Sequence, residues 1–278
     1  MIARLHWLRT WRSRRPLLAV GSLTFFLVLM LVGFYTYAQT ETGGEAEFRY
    51  TFENSSYFNG LTFALYAFYF AFLLLLPLFV AIEASAQVAG DTASGTLTLL
   101  LTRPISRARI FFTKAAFGAA VAFALTGAFL ALGLGLGLLA VGWGDLDLYP
   151  GVLQMSSSHQ HLEQGDALLR FVLAWPAASL ALGAPLCLSL LVASWSRSTV
   201  NAGGVSVSLY LILYVVSEIH FFDRLRPWLF TSYATYWRAL FQERIPWSTL
   251  GLDALKLCGF SVLFLALAFH RFRVREER

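Results

Sequence analysis

Charged residues are scarce in this chain: Asp, Glu, Lys and Arg together make up 13% of its 278 residues. Soluble domains carry about a quarter of such residues, so a single large soluble core is excluded. Hydrophobic residues make up 58% of the chain. They gather in several runs of about 20 residues, the length that crosses the roughly 30 Å hydrocarbon layer of a bilayer. The composition therefore predicts a polytopic membrane protein.

Cysteine is equally scarce, and so are the usual motifs of catalysis. Cys187 and Cys258 both lie within apolar runs and are interpreted as small buried hydrophobic residues rather than a disulfide or metal pair. The chain has no G-x-x-x-x-G-K-[ST] loop that would hold ATP, and it has no H-E-x-x-H sequence. We therefore expect no catalytic residue, no bound cofactor and no enzyme activity in this chain.

Six apolar runs are predicted to cross the membrane as helices, because lipid offers backbone amides no other partner. They form a single all-α transmembrane domain over residues 1–278, preceded by an interfacial amphipathic helix at residues 1–15. The predicted spans are, in order, Pro16–Ala38, Gly60–Ile82, Ile110–Val141, Leu168–Trp195, Val200–Ile219 and Leu250–His270.

The distribution of basic residues predicts the orientation. The two termini, residues 83–114 and residues 196–198 together carry fourteen Lys or Arg but only four Asp or Glu. Basic loops stay in the cytosol, so both termini are predicted to be cytosolic in a multi-pass protein of the cell (inner) membrane. We interpret this positive charge as a determinant of membrane topology, and we expect no nucleic-acid partner. Residues 221–249, rich in Tyr, Trp and Arg, are predicted to form an outer-face hairpin of short helices.

The segment 83–109, between the second and third spans, is polar, basic and interrupted by Gly and Pro. Leu97, Leu100 and Leu101 fall on one face of a short helix, and Pro104 ends that helix. The pattern indicates a compact cytosolic helix between two membrane helices. Such a helix is suited to docking into a groove on a soluble partner, and the alternative is a helix that simply lies on the lipid.

The entry to the third span has its own signals. Ser106 is placed to cap the helix that follows it. Arg107, Arg109 and Lys114 come next, and they are predicted to hold this entry at the cytosolic surface.

The same segment resembles the signature of the permease subunits of type 2 ABC transporters. That signature has an acidic residue, then Gly-Thr-Leu, a Leu-rich turn, Pro-[IL]-Ser-Arg and a Lys a few residues on. The layout is similar too: an interfacial helix, six spans, the motif between the second and third spans, and an outer hairpin between the fifth and sixth. The matching residues are Asp91, Gly95, Thr96, Leu97, Leu100, Pro104, Ile105, Ser106, Arg107 and Lys114.

The resemblance implies that this segment is a coupling helix that contacts a separate P-loop ATPase. The chain would then be the membrane-spanning permease subunit of an ATP-driven transporter, and we expect an exporter. ATP and magnesium would be bound by the ATPase, present in two copies beside a second permease copy or paralogue in the bilayer. The implied contact residues are Asp91, Gly95, Thr96, Leu97, Leu100, Leu101, Pro104 and Arg107.

Two other functions stay open from the sequence. One is a non-transporting membrane anchor or mechanical transmitter driven by the same kind of ATPase, which a large external domain would favour. The other is a stand-alone secondary transporter, which charged residues facing a cavity within the spans would favour.

An outer loop carries the weak candidates for metal ligands. His159 and His161 are followed by Glu163 and Asp166. Histidines two residues apart do not share a helix face, so we expect a solvated loop with no metal rather than a metal site.

Charged residues also lie at the predicted outer ends of the last two spans. Glu218 is expected to pair with Arg224 or Arg226 or to meet water, and otherwise it is a candidate to line a pathway. Asp253 and Lys256, three residues apart on a helix, are expected to pair or to reach the interface.

Overall fold

The computed structural model describes residues 15–40, 58–93, 106–149, 159–196 and 198–274. Six helical stretches among them are long and apolar enough to cross a membrane, so the prediction of an all-α polytopic membrane protein is confirmed. The predicted interfacial helix lies outside the described residues except for Arg15. The helices are α1 (Arg15–Thr40), α2 (Gly60–Phe70), α3 (Leu76–Ala93), α4 (Arg107–Ala140), α5 (Gln164–Ala181), α6 (Gly183–Trp195), α7 (Thr199–Glu218) and α8 (Trp247–Val274).

The second span extends further than the sequence predicts. A π-helical turn at Ala71–Leu75 joins α2 to α3, so the two form one continuous helix. Residues 83–93, assigned from the sequence to the coupling segment, are therefore helical, and the helix continues past Ile82, where the membrane span is predicted to end. Glu83 interrupts the apolar run, but α3 packs against α6 and α7, and this burial carries the helix onward.

The fourth span is made of two helices. α5 and α6 are separated by Leu182 alone. Pro185 has no N–H to donate to the carbonyl of Ala181, which accounts for the break at this point. The two helices together form the most deeply buried of the six candidate spans, with 72% of its most apolar window inside the fold.

The start of α2 and the end of α4 touch through glycine. A Cβ added at Gly137 would lie 2.5 Å from the carbonyl oxygen of Gly60, so only glycine allows this approach. Asn59 caps α2 by accepting hydrogen bonds from the amides of Leu61 and Thr62. Its side-chain amide also donates to the carbonyl of Asp145, which links α2 to the segment after α4.

A small antiparallel hairpin, which the sequence did not predict, follows α4. Strand β1 (Leu146–Leu148) pairs with strand β2 (Gln160–Leu162), with Asp147 opposite His161. Leu146, Leu148 and Leu162 are buried, so one face of the hairpin packs on the helices and the other meets solvent.

The predicted outer-face hairpin at residues 221–249 is a run of 3-10 turns that packs into the bundle. The side chains of Trp237 and Phe241 are fully buried, and the Trp237 ring lies 4.6 Å from the ring of Phe68 in α2. The segment therefore packs into the bundle against α2. Its turns are His220–Phe222, Arg226–Trp228, Phe230–Tyr233 and Tyr236–Phe241.

Candidate coupling site between the second and third spans

Helix α3 ends at Ala93, and helix α4 begins at Arg107. The part of the bundle around these two helix ends is called the α3–α4 end. Ser106 has extended backbone angles, and its hydroxyl accepts a hydrogen bond of 3.3 Å from the amide of Arg109. The predicted helix cap at Ser106 is therefore confirmed. It sets the point where the chain enters the third span.

Lys114 joins α4 to α3. Its side chain is only 1% exposed, and its ammonium group donates a hydrogen bond of 2.7 Å to the main-chain carbonyl of Gln87. The sequence placed Lys114 at the cytosolic surface beside Arg107 and Arg109, and that interpretation was wrong. The lysine turns inward because α3 continues past Ile82 and brings a carbonyl within reach of the ammonium group.

Arg107 joins the start of α4 to the end of α8. Its guanidinium group donates a hydrogen bond of 3.1 Å to the carbonyl of Arg273. One turn later the buried ring of Phe111 contacts Phe269 and Phe272, with ring centroids 5.5 and 5.4 Å apart. The entry to the third span is thus attached to the last span.

The last turns of α3 are attached in turn to α7. The hydroxyl groups of Ser85 and Ser206 lie 3.1 Å apart and share a hydrogen bond in the buried interface. Nearer the end of the helix, a Cβ added at Gly90 would lie 3.5 Å from the hydroxyl of Thr199. A displacement of residues 94–105 would therefore act on α7 through α3 and on α8 through α4.

Most of the predicted contact residues lie outside the described part of the chain. Of Asp91, the structure describes the backbone in the last turn of α3, and Arg107 is described in full. Sequence reasoning missed Gln87, whose signal is its place four residues before Asp91 on the same helix face. The predicted contact residues outside the description are Gly95, Thr96, Leu97, Leu100, Leu101 and Pro104.

The chain is thus a bundle of apolar helices with one short polar segment between two helices that are anchored to the rest of the bundle. The family model of ABC-2 family transporter proteins matches residues 1–227. This chain belongs to the ABC-2 transporter family. A search among curated proteins gave no match. Membership confirms the resemblance to type 2 ABC transporter permeases, and it makes this chain a membrane transport component of a family whose permeases normally work with an ATPase partner.

Two histidines of this ABC-2 chain, His159 and His161, lie at the small hairpin after α4. The Nδ1 atom of His161 is 2.7 Å from a carboxylate oxygen of Asp147, and the Nε2 atom of His159 is 3.6 Å from the same oxygen. The hydrogen bond to Asp147 raises the pKa of His161, and the nearby carboxylates of Asp145 and Glu163 act in the same direction. Within the described ranges, no group of three or more His, Cys, Asp or Glu residues is arranged to hold a metal ion.

Glu218 is the exposed last residue of α7. The guanidinium group of Arg226 donates to the main-chain carbonyls of Ser217 and Glu218, at 2.9 and 3.5 Å. The carboxylate partner of Arg226 is Asp223, at 3.2 Å. The structure therefore links Arg226 to the backbone of Glu218 rather than to its carboxylate.

The pair on the last span follows the expected spacing. The ammonium group of Lys256 lies 3.2 Å from the carboxylate of Asp253, and it also lies over the ring of Tyr233. These contacts join the start of α8 to the 3-10 turns.

Arg170 was not singled out from the sequence, yet it joins α5 to the segment before α8 at the end of the bundle opposite the α3–α4 end. It is buried in α5 and forms an ion pair of 2.7 Å with Asp166. The same guanidinium group donates to the carbonyls of Leu240, Gln242 and Glu243 in the turns before α8. The sequence signal was the spacing of four residues between Asp166 and Arg170.

Proposed function

We propose that this permease subunit belongs to an ATP-driven exporter and that residues 95–101 form the coupling helix on which a separate P-loop ATPase acts. ATP and magnesium bind to the ATPase and not to this chain. Two permeases, as identical or related chains, assemble with two ATPase subunits. Both termini and the α3–α4 end face the cytosol of a cell whose inner membrane holds the bundle.

The observation that carries this proposal is the anchoring of both helices beside the coupling segment. Lys114 ties α4 to α3 through the carbonyl of Gln87, and Arg107 ties α4 to α8 through the carbonyl of Arg273. A force applied between Ala93 and Arg107 therefore acts on several spans together. That is what switching a bundle between inward-open and outward-open states requires.

The described outer segments support an exporter over a mechanical transmitter. They consist of the small hairpin after α4 and the 3-10 turns before α8, and both pack onto the helices. Buried cations also have local structural partners, because Lys114 and Arg170 are held by main-chain carbonyls. These contacts favour a bundle driven from outside over a stand-alone secondary transporter.

The test is copurification of the ATPase with the tagged chain in mild detergent. A variant with Leu97, Leu100 and Leu101 changed to Asp should lose the bound P-loop ATPase. A variant with Thr98 and Thr102 changed to Ala, on other faces of the same predicted helix, should retain it. Absence of any P-loop ATPase from the folded original chain would overturn the proposal, and so would its retention by the Asp variant.

A further inference from the structure

The start of α4 and the end of α8 carry a group of aromatic and basic residues at the α3–α4 end. The rings of Phe112 and Phe269 lie 5.2 Å apart across the two helices. Arg109 comes three residues before Phe112, and Arg273 comes four residues after Phe269. Residues at these spacings are neighbours on a helix surface. Both arginines therefore lie one turn closer to the α3–α4 end than the paired rings, and the four residues are called the α4–α8 seam.

The seam carries positive charge. Arg109 and Arg273 are both exposed, and neither side chain forms an ion pair within the described ranges. Glu83 lies on α3 beside residues of α1 and α7. The other described acidic side chains lie in elements at the opposite end of the bundle. Two guanidinium groups thus face solvent with no described carboxylate beside them, and such a surface attracts an anion.

The peptide dipoles at the seam are compatible with an anion. Helix α4 begins here, and the amide groups of its first turn give the start of the helix a partial positive charge. Helix α8 ends here, where its last carbonyls carry a partial negative charge. Arg107 donates a hydrogen bond of 3.1 Å to the carbonyl of Arg273. A guanidinium group therefore offsets the charge of the carbonyl closest to the seam.

The seam lies at the level of the lipid head groups. A Cβ added at Gly183, in the first turn of α6, would lie 3.3 Å from the hydroxyl of Ser261 in α8. Both helices run from this contact to the α3–α4 end, and after the same number of residues α6 reaches Trp195 and α8 reaches Arg273. Trp195 is 63% exposed. Exposed tryptophan favours the head-group zone of a membrane, so Arg273 lies where lipid phosphate groups are found.

The surface beside the arginines, further from the α3–α4 end, is apolar. Phe112 is 47% exposed. Val262 lies two turns before Phe269 on the same face of α8, and it is 65% exposed. An acyl chain can lie along these side chains while its phosphate group contacts the arginines. A soluble anion would use only the basic part of the seam.

We propose that the α4–α8 seam binds an anionic phospholipid, with the phosphate group held by Arg109 and Arg273 and an acyl chain along Phe112 and Phe269. The planar guanidinium group presents several N–H donors, which suits it to phosphate oxygens. The positive charge of the seam selects a lipid of net negative charge over a zwitterionic one. Binding needs only this chain, so it is measured without the ATPase.

A comparison of two lipids tests the charge. Phosphatidylglycerol or phosphatidylcholine with the same acyl chains is titrated into the delipidated chain in detergent, and bound lipid is counted by native mass spectrometry. Phosphatidylglycerol should bind more tightly. Arg109→Gln and Arg273→Gln should each weaken its binding about fivefold, which corresponds to ~1 kcal/mol for one basic residue at a lipid surface. The matched control combines Arg224→Gln with Arg244→Gln, two exposed arginines of the segment before α8, and it should leave binding unchanged.

Photo-crosslinking tests the position. A phosphatidylglycerol with a diazirine on its acyl chain is added to the chain in detergent, illuminated and mapped by peptide mass spectrometry. The peptides that contain Phe112 and Phe269 should be labelled, and combining Arg109→Gln with Arg273→Gln should remove most of this label. Leu255, which is 69% exposed at the other end of α8, reports random contact with lipid. Its peptide should be labelled equally in the original chain and in the variant.

Two further arms separate other anions from the lipid. Inorganic phosphate, added at the concentration of the lipid, should not displace phosphatidylglycerol, and displacement would assign the arginines to a soluble phosphate. ATPase copurification is measured on the variant that combines Arg109→Gln with Arg273→Gln, and it should be retained. Loss of the ATPase with unchanged lipid binding would assign the two arginines to the ATPase contact. Either reassignment would overturn the inference.

Three other results would overturn it: equal affinity for the two lipids, lipid binding unaffected by both seam substitutions, or equal weakening by the control variant. Size-exclusion chromatography and thermal unfolding verify that each variant is folded. Lipid binding in a chain that copurifies with no ATPase would remove only the proposed function. An ATPase bound to a chain without selective lipid binding would remove only this inference.

Discussion

The hydroxyl group of Tyr210 in α7 donates a hydrogen bond of 3.0 Å to the carbonyl of Leu73, inside the π-helical turn of the second span. A π-helical turn shifts the hydrogen bonds of the helix by one residue and leaves carbonyls open to other donors. Tyr210 is 2% exposed, and its hydroxyl group is the donor to one such carbonyl in the middle of the span. The second span is thus joined to α7 at two levels, through Tyr210 and, nearer the α3–α4 end, through Ser85 and Ser206.

Tyr210→Phe should therefore destabilise the chain. The variant keeps the ring but removes the donor to Leu73, which costs about 1 kcal/mol. In a domain of this size we expect the midpoint of thermal unfolding to fall by about 2–4 °C. Tyr214→Phe is the matched control, because the hydroxyl of Tyr214 makes no hydrogen bond within the described residues. Equal unfolding midpoints for the two variants would contradict the role given to Tyr210.

The two lysines of the chain should differ sharply in reactivity. Lys114 is buried against Gln87, whereas the side chain of Lys256 is 48% exposed. A water-soluble amine-reactive ester, followed by peptide mass spectrometry, should modify Lys256 in the folded chain and reach Lys114 only after unfolding. Modification of Lys114 at the same rate as Lys256 would show that Lys114 is accessible and does not join α4 to α3.

Arg170→Met should weaken the attachment of α5 to the segment before α8. The variant leaves Asp166 without its cation and three carbonyls of the segment before α8 without their donor. Asp166 is 45% exposed, so the main loss is that of the hydrogen bonds from the charged donor, each of which typically contributes about 1.5–3 kcal/mol. Thermal unfolding of the purified chain should show a large decrease in the midpoint. Arg244→Met, at an exposed residue of the same segment, should show almost none, and a similar decrease in both variants would remove the special role of Arg170.

The stability of the small hairpin after α4 should depend on pH through His161. Its pKa is raised in the folded chain by the hydrogen bond to Asp147. The stabilising contribution is therefore complete below the ordinary histidine pKa of about 6.5 and is lost as the pH rises through the raised value. Histidine NMR should show a lower pKa for His161 in Asp147→Asn and an unchanged one in Asp223→Asn. An identical pKa in Asp147→Asn and the original chain would exclude Asp147 as the cause.

The features that the sequence predicted correctly depend on local chemistry. Runs of about 20 apolar residues are sufficient to locate membrane helices. The cap at Ser106 and the pair of Asp253 and Lys256 depend only on residues three positions apart.

The features that the sequence could not predict depend on tertiary contacts. Lys114 follows two arginines and looks interfacial, but the length of α3 decides that it is buried. The hairpin has strands of only three residues, so no alternating pattern is long enough to indicate it. Trp is a residue type that is common in the headgroup zone, yet Trp237 packs against the rings of Phe68 and Phe72.

The central claim is that a P-loop ATPase acts on the segment between α3 and α4. The most direct test places a photo-crosslinking amino acid at Leu97 in cells, with a control at Trp228, which is exposed in the outer turns. Peptide sequencing should identify a P-loop ATPase linked to position 97 and none linked to position 228. A crosslink to the ATPase from position 228, or none from position 97, would contradict the account.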